Sequence, residues 1–578
     1  MISSREPYFK TLVYIKKVKG CLIILKGELH LYIFIGIIIF FFLLLYIKDT
    51  QKRRIKNTID AEWREKRIFS PKENLASVGM YWKRQSEKED YHGVDSITWR
   101  DLSMDDVFHQ INYTQTSVGS EYLYDQLHNI QLSGQQSNES LYELMEKDKE
   151  LRNYLLFELK RLGKRNYVNS SSYFHKEYQN FKHIWFYVLC SCLPIVSIII
   201  AIISLKTGVL LLITTMIFNI IIYYRNKLKL DSNLYGTSYV ASIIATGKRL
   251  MKFKDKSFQP YSKEIRSAIE PIRKFILFDK ILALGKGTGD FEGIFEYIRI
   301  IFLLDYISYY YMIRMLQKYK KEYEKLWEII GELDSSIAVV FYRHIIQGYC
   351  TPNFIEQEEL VFDNMYHPLI KNPVKNSSHL NKTTLITGSN ASGKSTYMKA
   401  VAVNSILAQT IHTVHSDSWI MKPSYIISSM AIQDNVIDGD SYFKAEIKSL
   451  KRIIQKIELN IPCLSFIDEI LKGTNTVERI AASASIMNWL SKHQGMNLIA
   501  SHDIELTTIA GDLYNNYHFH EIVQDDGVSF DYKIHSGPST TKNAIKLLEV
   551  MEYPSPITEL ANALANEFEE KREWKLIK

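Results

Sequence analysis

The chain has 578 residues, 46% hydrophobic and 23% charged, with 71 basic against 64 acidic residues and a formal net charge of +7. This length admits three or four domains, and the composition is that of an ordinary folded protein. The mild basic excess permits contact with nucleic acid or anionic lipid but demands neither. Five cysteines, Cys21, Cys190, Cys192, Cys350 and Cys463, lack zinc-site spacing, and their odd number makes a poor disulfide framework. They read as free thiols in a reducing compartment.

In chain order, residues 1–30 form a basic segment. Leu31–Ile47 follows, 17 residues without a charge. A membrane-spanning helix needs about 20 apolar residues, with roughly 17 as the lower limit. Lys48, Lys52, Arg53, Arg54 and Lys56 then mark a cytoplasmic flank. The preceding segment is basic too, through Arg5, Lys10, Lys16, Lys17, Lys19 and Lys26. Two topologies stay open: a single crossing overriding the charge rule, or a shallow, re-entrant segment. A cleaved signal peptide is not expected. Residues 48–94 read as a juxtamembrane helix and linker, and 95–183 as a helical core.

Two further charge-free runs, Ile184–Leu205 and Gly208–Tyr224, are separated by Lys206-Thr207 and predict a transmembrane hairpin over 184–224. Residues 225–350 return to helical periodicity. Leu303–Leu333 reads as one long amphipathic stretch, with Lys318, Lys320, Lys321 and Lys325 on a polar side that is either solvated or in contact with phosphate groups. From 351 to 560 short β-rich runs alternate with helices, which indicates a mostly parallel sheet covered by helices. Residues 561–578 form a charged tail. The expected fold is thus a C-terminal α/β P-loop NTPase domain behind an all-α core or lever domain with transmembrane helices.

The chemistry concentrates after Thr384-Leu-Ile-Thr387. Gly388-Ser389-Asn390-Ala391-Ser392-Gly393-Lys394-Ser395 matches G-x-x-x-x-G-K-[ST] at every fixed position, between a strand and a helix that begins with Lys394, Ser395 and Thr396. The glycines let the backbone wrap phosphates at a helix N-terminus. Lys394 neutralises β- and γ-phosphate charge, and Ser395 holds Mg²⁺. Cys463-Leu-Ser-Phe-Ile467 runs into Asp468-Glu469. Asp468 is placed to anchor the Mg²⁺ shell, and Glu469 to orient the attacking water. His502, at the end of Asn497–Ala500, is placed to sense the γ-phosphate.

These stretches, with Tyr366-His-Pro-Leu369, Asp440-Ser-Tyr-Phe-Lys-Ala-Glu446, Asp468–Thr476, Ala500-Ser-His502 and His535-Ser-Gly-Pro-Ser539, resemble the ATPase domain of the MutS mismatch-repair family in order and spacing. Gly473-Thr474, continuing from Asp468-Glu469, is the most diagnostic. Asp95–Leu102, Gly119–Leu123 and Glu332-Leu333-Asp334 resemble parts of that family's helical core, so the likeness covers about 95–160 and 235–555. The resemblance implies ATP and Mg²⁺ as cofactors and a homodimer in which each ATPase domain completes its partner's site. It implies that Ser441 faces the γ-phosphate held by the other copy, that catalysis rests on Glu469, Asp468 and Lys394, and that DNA, mismatched or branched, is the ligand. The family's N-terminal mismatch reader is not expected in this sequence, whose first residues read as a basic segment and a membrane segment instead. Leu132-Ser-Gly-Gln-Gln136 mimics an ABC-transporter signature but lies upstream of the glycine loop, in a polar stretch that reads as a loop. The alternative is a membrane-tethered ATPase motor or nucleotide-gated scaffold that does not act on DNA.

Overall fold

The computed structural model describes residues 36, 39, 42–43, 45–47, 49–66, 73–88, 91, 93–130, 132, 138–165, 170–174, 184–283, 292–389, 392–430, 442–524, 527–539, 544–571 and 574. The chain divides into two units, residues 1–68 and 69–578. In the first, residues 51–65 are helical; the expected membrane segment at 31–47 lies largely outside the described residues.

The second unit opens with helices. Asp95 caps α1 (Ser96–Asp101), its carboxylate accepting the Ile97 and Thr98 amides at 3.0 and 2.9 Å. Thr116 caps α2 (Ser117–His128) through Gly119 N–H at 2.9 Å. Asp334, fully buried, fixes this cap. It accepts the Thr116 amide and hydroxyl at 2.8 and 2.6 Å and the Gln115 amide at 2.9 Å. A Cβ on Gly119 would lie 2.2 Å from the Asp334 carboxylate, so only glycine admits this approach. The two stretches picked out as core-like in the sequence therefore meet.

The hairpin is α3 (Ile184–Ile203) and α4 (Leu205–Leu250), and α4 continues about 25 residues past the apolar run. Two segments, Ile184–Ile203 and Leu205–Arg225, are long and apolar enough to cross a membrane, with mean hydropathies of 2.7 and 2.0. Their tip is bare: Ile202, Ile203 and Leu205 are 81%, 84% and 72% exposed. Gly208 brings the two helices together, because a Cβ there would stand 2.2 Å from Ala201 Cα. The base is fastened by polar groups. Asn219 Nδ2 donates to the carbonyls of Cys190 at 2.9 Å and Ile301 at 2.7 Å, and Tyr223 Oη donates to Asp305 at 2.9 Å. Beside this base, the amphipathic helix Glu292–Ile301 leaves Ile294, Phe295 and Tyr297 exposed.

The expected single helix over 303–333 is two: α5 (Leu304–Lys318) and α6 (Lys320–Ile345), broken at Tyr319, whose φ of −116° and ψ of 43° are not helical. α6 packs on α2, with Gly331 against Tyr122.

Twelve strands follow among the described residues. β1 (Asn353–Phe354), β2 (Leu360–Met365), β3 (Asn376–Leu380) and β5 (Ser418–Met421) form a small mixed sheet ordered β1-β5-β2-β3. β4 (Thr384–Thr387), β6 (Tyr425–Ser429), β7 (Cys463–Asp468), β8 (Met496–Ser501), β9 (Asn515–His518) and β12 (His535–Ser536) form the main sheet, ordered β12-β9-β4-β8-β7-β6 and parallel except for β12. β10 (Glu521–Gln524) and β11 (Gly527–Phe530) make a hairpin. The covering helices are α7 (Lys394–Ile411), α8 (Tyr442–Glu458), α9 (Thr476–Leu490) and α10 (Glu505–Ala510). Ser555–Lys571 is a helix running across the expected start of the tail.

Helical core and sheet are latched by buried polar groups. Asp101 accepts Ser428 Oγ at 2.8 Å and Met430 N–H at 3.1 Å, and Thr98 Oγ1 accepts Ser428 N–H at 3.0 Å. Arg343 at the end of α6 grips Glu139 with two 2.8 Å bonds and donates to Thr413 and His412. A movement of the sheet's β6 edge must therefore pull on α1.

Candidate functional site

Strand register sets the site. Thr387, ending β4, lies opposite Ser501 of β8, and Asp468, ending β7, lies opposite Ala500 of the same strand. Gly388, His502 and Glu469 thus leave three adjacent strands at one edge, outside the carboxyl ends of a parallel sheet, where open α/β folds bind ligands.

Between β4 and α7 the chain makes a glycine turn. Gly388 has φ +140°, and a Cβ there would stand 2.5 Å from the Phe519 carbonyl oxygen; Gly393 has φ +102°. Lys394, 2% exposed, folds back on the loop, its Nζ donating to the carbonyls of Gly388 at 2.5 Å and Ser389 at 2.6 Å. Ser392 Oγ donates to the Ser389 carbonyl at 2.7 Å. Ser389 Oγ is buried without a hydrogen-bond partner among the described residues. A buried ammonium, an orphaned hydroxyl and the start of an 18-residue helix converge on one loop, the donor set an anion requires. Ser395 and Thr396 complete the helix's first turn. Asn390, Ala391 and Ser441 lie outside the described residues.

Asp468 is the half-buried last residue of β7. Glu469 turns the chain with a left-handed φ of +62°, and its N–H donates to the Ala500 carbonyl at 3.0 Å. His502 Nε2 stands 2.6 Å from one oxygen of its carboxylate, and Lys472 Nζ 2.8 Å from the other. Burial pushes this carboxyl up, but His502 and Lys472 outweigh it and hold the pKa at about 2. Two of the sequence-predicted residues, Glu469 and His502, are therefore in direct contact.

Several supports carried no role in the sequence reading. Glu446 of α8, buried, accepts the amides of Lys472 and Gly473 at 3.1 and 3.2 Å and so shapes the loop behind Glu469. Its only sequence signal was its place in the 440–446 stretch. Arg479 and Asp503 form a two-bond pair at 2.9 and 2.6 Å that braces α9 against the turn holding His502. Beyond Gly393 opens a cavity of about 270 Å³ walled by Met365, Ile370, Pro373, Val374, Tyr397 and Tyr532. It is mostly apolar and reaches the loop through Gly393 and Thr396, a shape that accepts a flat, apolar-faced group.

Fold and site define the class: an α/β domain with a glycine loop at the carboxyl edge of a parallel sheet. The family model for MutS domain V matches residues 384–569. The chain is 28% identical over 277 residues to the DNA mismatch repair protein MutS of Geobacillus sp. (strain WCH70), covering 45% of this chain and 31% of that protein. It is 30% identical over 272 residues to the protein of the same name from Lactococcus lactis subsp. lactis (strain IL1403), covering 44% and 32%. For a Thermus thermophilus protein, also of that name, the figures are 27% over 271 residues, covering 45% and 32%. Residues 384–569 are thus similar to MutS domain V, and the chain resembles MutS proteins over a little under half its length. It spans about a third of the length of the curated relatives it matches.

Proposed function

We propose that this chain is a membrane-anchored ATPase that couples ATP binding and hydrolysis to DNA binding and works as a homodimer. The carrying observation is the Gly388–Ser395 loop, with Lys394 buried against its carbonyls, on the same sheet edge as the Glu469–His502 pair.

In this reading Gly388, Ser389, Asn390, Ala391, Ser392, Gly393, Lys394, Ser395 and Thr396 hold the polyphosphate of ATP. Lys394 exchanges the Gly388 and Ser389 carbonyls for phosphate oxygens, and Ser389 Oγ gains a partner. The apolar cavity beside Gly393 takes the base. Ser395 and Asp468 hold Mg²⁺, which when bound offsets phosphate charge. Glu469, ionised at neutral pH, orients the attacking water; so low a pKa makes it a weak base, so its contribution is mainly positional while His502 grips it. His502 stands where loss of the γ-phosphate would alter that grip. Ser441 reaches the site of the second copy, as the family likeness implies. The latch from β6 to Asp101 carries the change into the helical levers.

Two features support the membrane and DNA terms. The hairpin's exposed apolar tip fits a bilayer, with 31–47 as a further anchor. A groove of about 520 Å³ is lined by Lys274, Arg314, Lys318, Tyr311 and Tyr319 together with Arg273, which pairs with Glu270 at 2.7 Å; its basic excess suits phosphate contacts. The hairpin equally favours a second reading, a membrane-tethered motor or nucleotide-gated scaffold without DNA. ATPase rates of the detergent-solubilised chain, with and without homoduplex, mismatched and branched DNA, separate them. Stimulation that fades steeply with salt supports the first reading; normal turnover indifferent to every DNA supports the second, and no turnover in any condition removes both ATPase readings.

A further inference from the structure

We propose that His520, Asp531 and His535 form a binding site for one divalent transition-metal ion of the zinc class, distinct from the Mg²⁺ position at Ser395 and Asp468. The three come from separate segments that the sheet assembles. His520 lies between β9 and β10, Asp531 follows β11, and His535 opens β12, where it pairs across the sheet with His518. Their ligand atoms, two imidazole nitrogens and one carboxylate oxygen, all lie within 4.8 Å of one another, and all three residues are half-buried. The rings of His520 and His535 stand 4.4 Å apart, and His535 Nε2 is 2.8 Å from Asp531 Oδ2.

An ion pair between Asp531 and His535 is the simpler explanation of those two residues, but it leaves the second imidazole unexplained. The carboxylate is also oriented as a ligand's would be. Its other oxygen accepts the Lys533 amide at 3.0 Å, an outer-sphere bond that aims Oδ2 at the two rings. A nearby third ring, His518, is held by its Nδ1 on the Gly537 carbonyl at 2.9 Å. Two nitrogens and one oxygen suit zinc and its neighbours, whereas Mg²⁺ and Ca²⁺ prefer oxygen alone. Three protein ligands leave one position for water. A bound ion would pull the ligands to about 2.0–2.2 Å and replace the His535–Asp531 contact.

The site clamps the base of the β10–β11 hairpin. Tyr532, next to Asp531, walls the apolar cavity, and a Cβ on Gly393 would lie 3.1 Å from its ring. Metal occupancy would therefore stiffen that wall. This consequence rests on the nucleotide reading above; metal binding itself does not.

The test uses the tag-free full chain in detergent, stripped with chelator, then titrated with Zn²⁺ against a competing dye and with Co²⁺ for its visible absorption. The wild type is expected to take one equivalent. His520→Ala and the near-isosteric Asp531→Asn should each weaken uptake by about 100-fold or more. Lys394→Ala should titrate like the wild type, which keeps this outcome separate from that of the nucleotide site. A wild type that takes no tight equivalent, or an Asp531→Asn chain with native circular dichroism and wild-type affinity, overturns the proposal.

Discussion

Two glutamates, one in each region, are handled in opposite ways. Glu121, on α2 in the helical part, is 2% exposed, and burial drives its pKa up to about 8 against weaker opposition from Ser171 and Arg84. Its neighbours in the same core follow: burial raises Asp125 to about 7 and Asp334 to about 6. At the sheet edge burial pushes Glu469 the same way, yet His502 and Lys472 hold it at about 2. The difference lies in the partners supplied. Around Glu121, Asp125 and Asp334 the described residues of the helical core supply no cation in direct contact strong enough to offset burial, so these three are held toward the neutral form. The sheet edge brings cations to its acid and keeps the charge where chemistry would use it.

The largest effect should come from the loop. Lys394 is the buried cation that an anion would claim, and it makes two charge-assisted bonds in this structure. Lys394→Ala is expected to weaken ATP binding by about 10- to 150-fold for each charge-assisted phosphate bond lost, at the 1.5–3 kcal/mol typical of one. Wild-type affinity in a direct titration would show that the loop is no phosphate site. Next is Glu469→Gln, which keeps shape and removes charge. It should still bind ATP, with turnover lower by about 10²-fold, the scale of a mispositioned reactant. Glu121→Gln should leave turnover unchanged, because Glu121 acts in packing. If single-turnover rates fell equally in both variants, the contrast between the two regions would fail.

The site's skeleton was legible in the sequence because its signals are local. β4, the glycine loop and the start of α7 are contiguous, and the apolar run ending in Asp468-Glu469 needs no distant partner to be read. Contacts made across the fold left little trace. Glu446 reaches Gly473 27 residues away, and the amides it holds are common to every residue type. The small sheet leaves a weak sequence signal because β3, Asn-Ser-Ser-His-Leu, is polar and lies at an edge. α6 was cut short for the opposite reason. Ile337 to Phe341 are buried on every face, so the amphipathic stripe that marks a helix disappears while the helix continues. The break at Tyr319 is a backbone event inside an uninterrupted helical pattern, with no proline or glycine to mark it.

The smallest effect tests the helical side of the comparison by pH. Glu121 has its folded pKa raised, from an ordinary 4.5 to about 8. Between those values the folded chain binds a proton that the unfolded chain has released, so stability must fall as pH rises. The contribution is fully present below pH 4.5 and is lost by about pH 8, a change of about 3–5 kcal/mol for one buried carboxyl. Glutamine has the shape of the protonated acid and cannot ionise. Glu121→Gln should therefore melt close to wild type at pH 5 and above it at pH 9, with the gap opening between. Parallel melting curves across that range would mean that Glu121 is already charged in the folded chain, and the helical core would then hold its acids as the sheet edge does, by opposing charge.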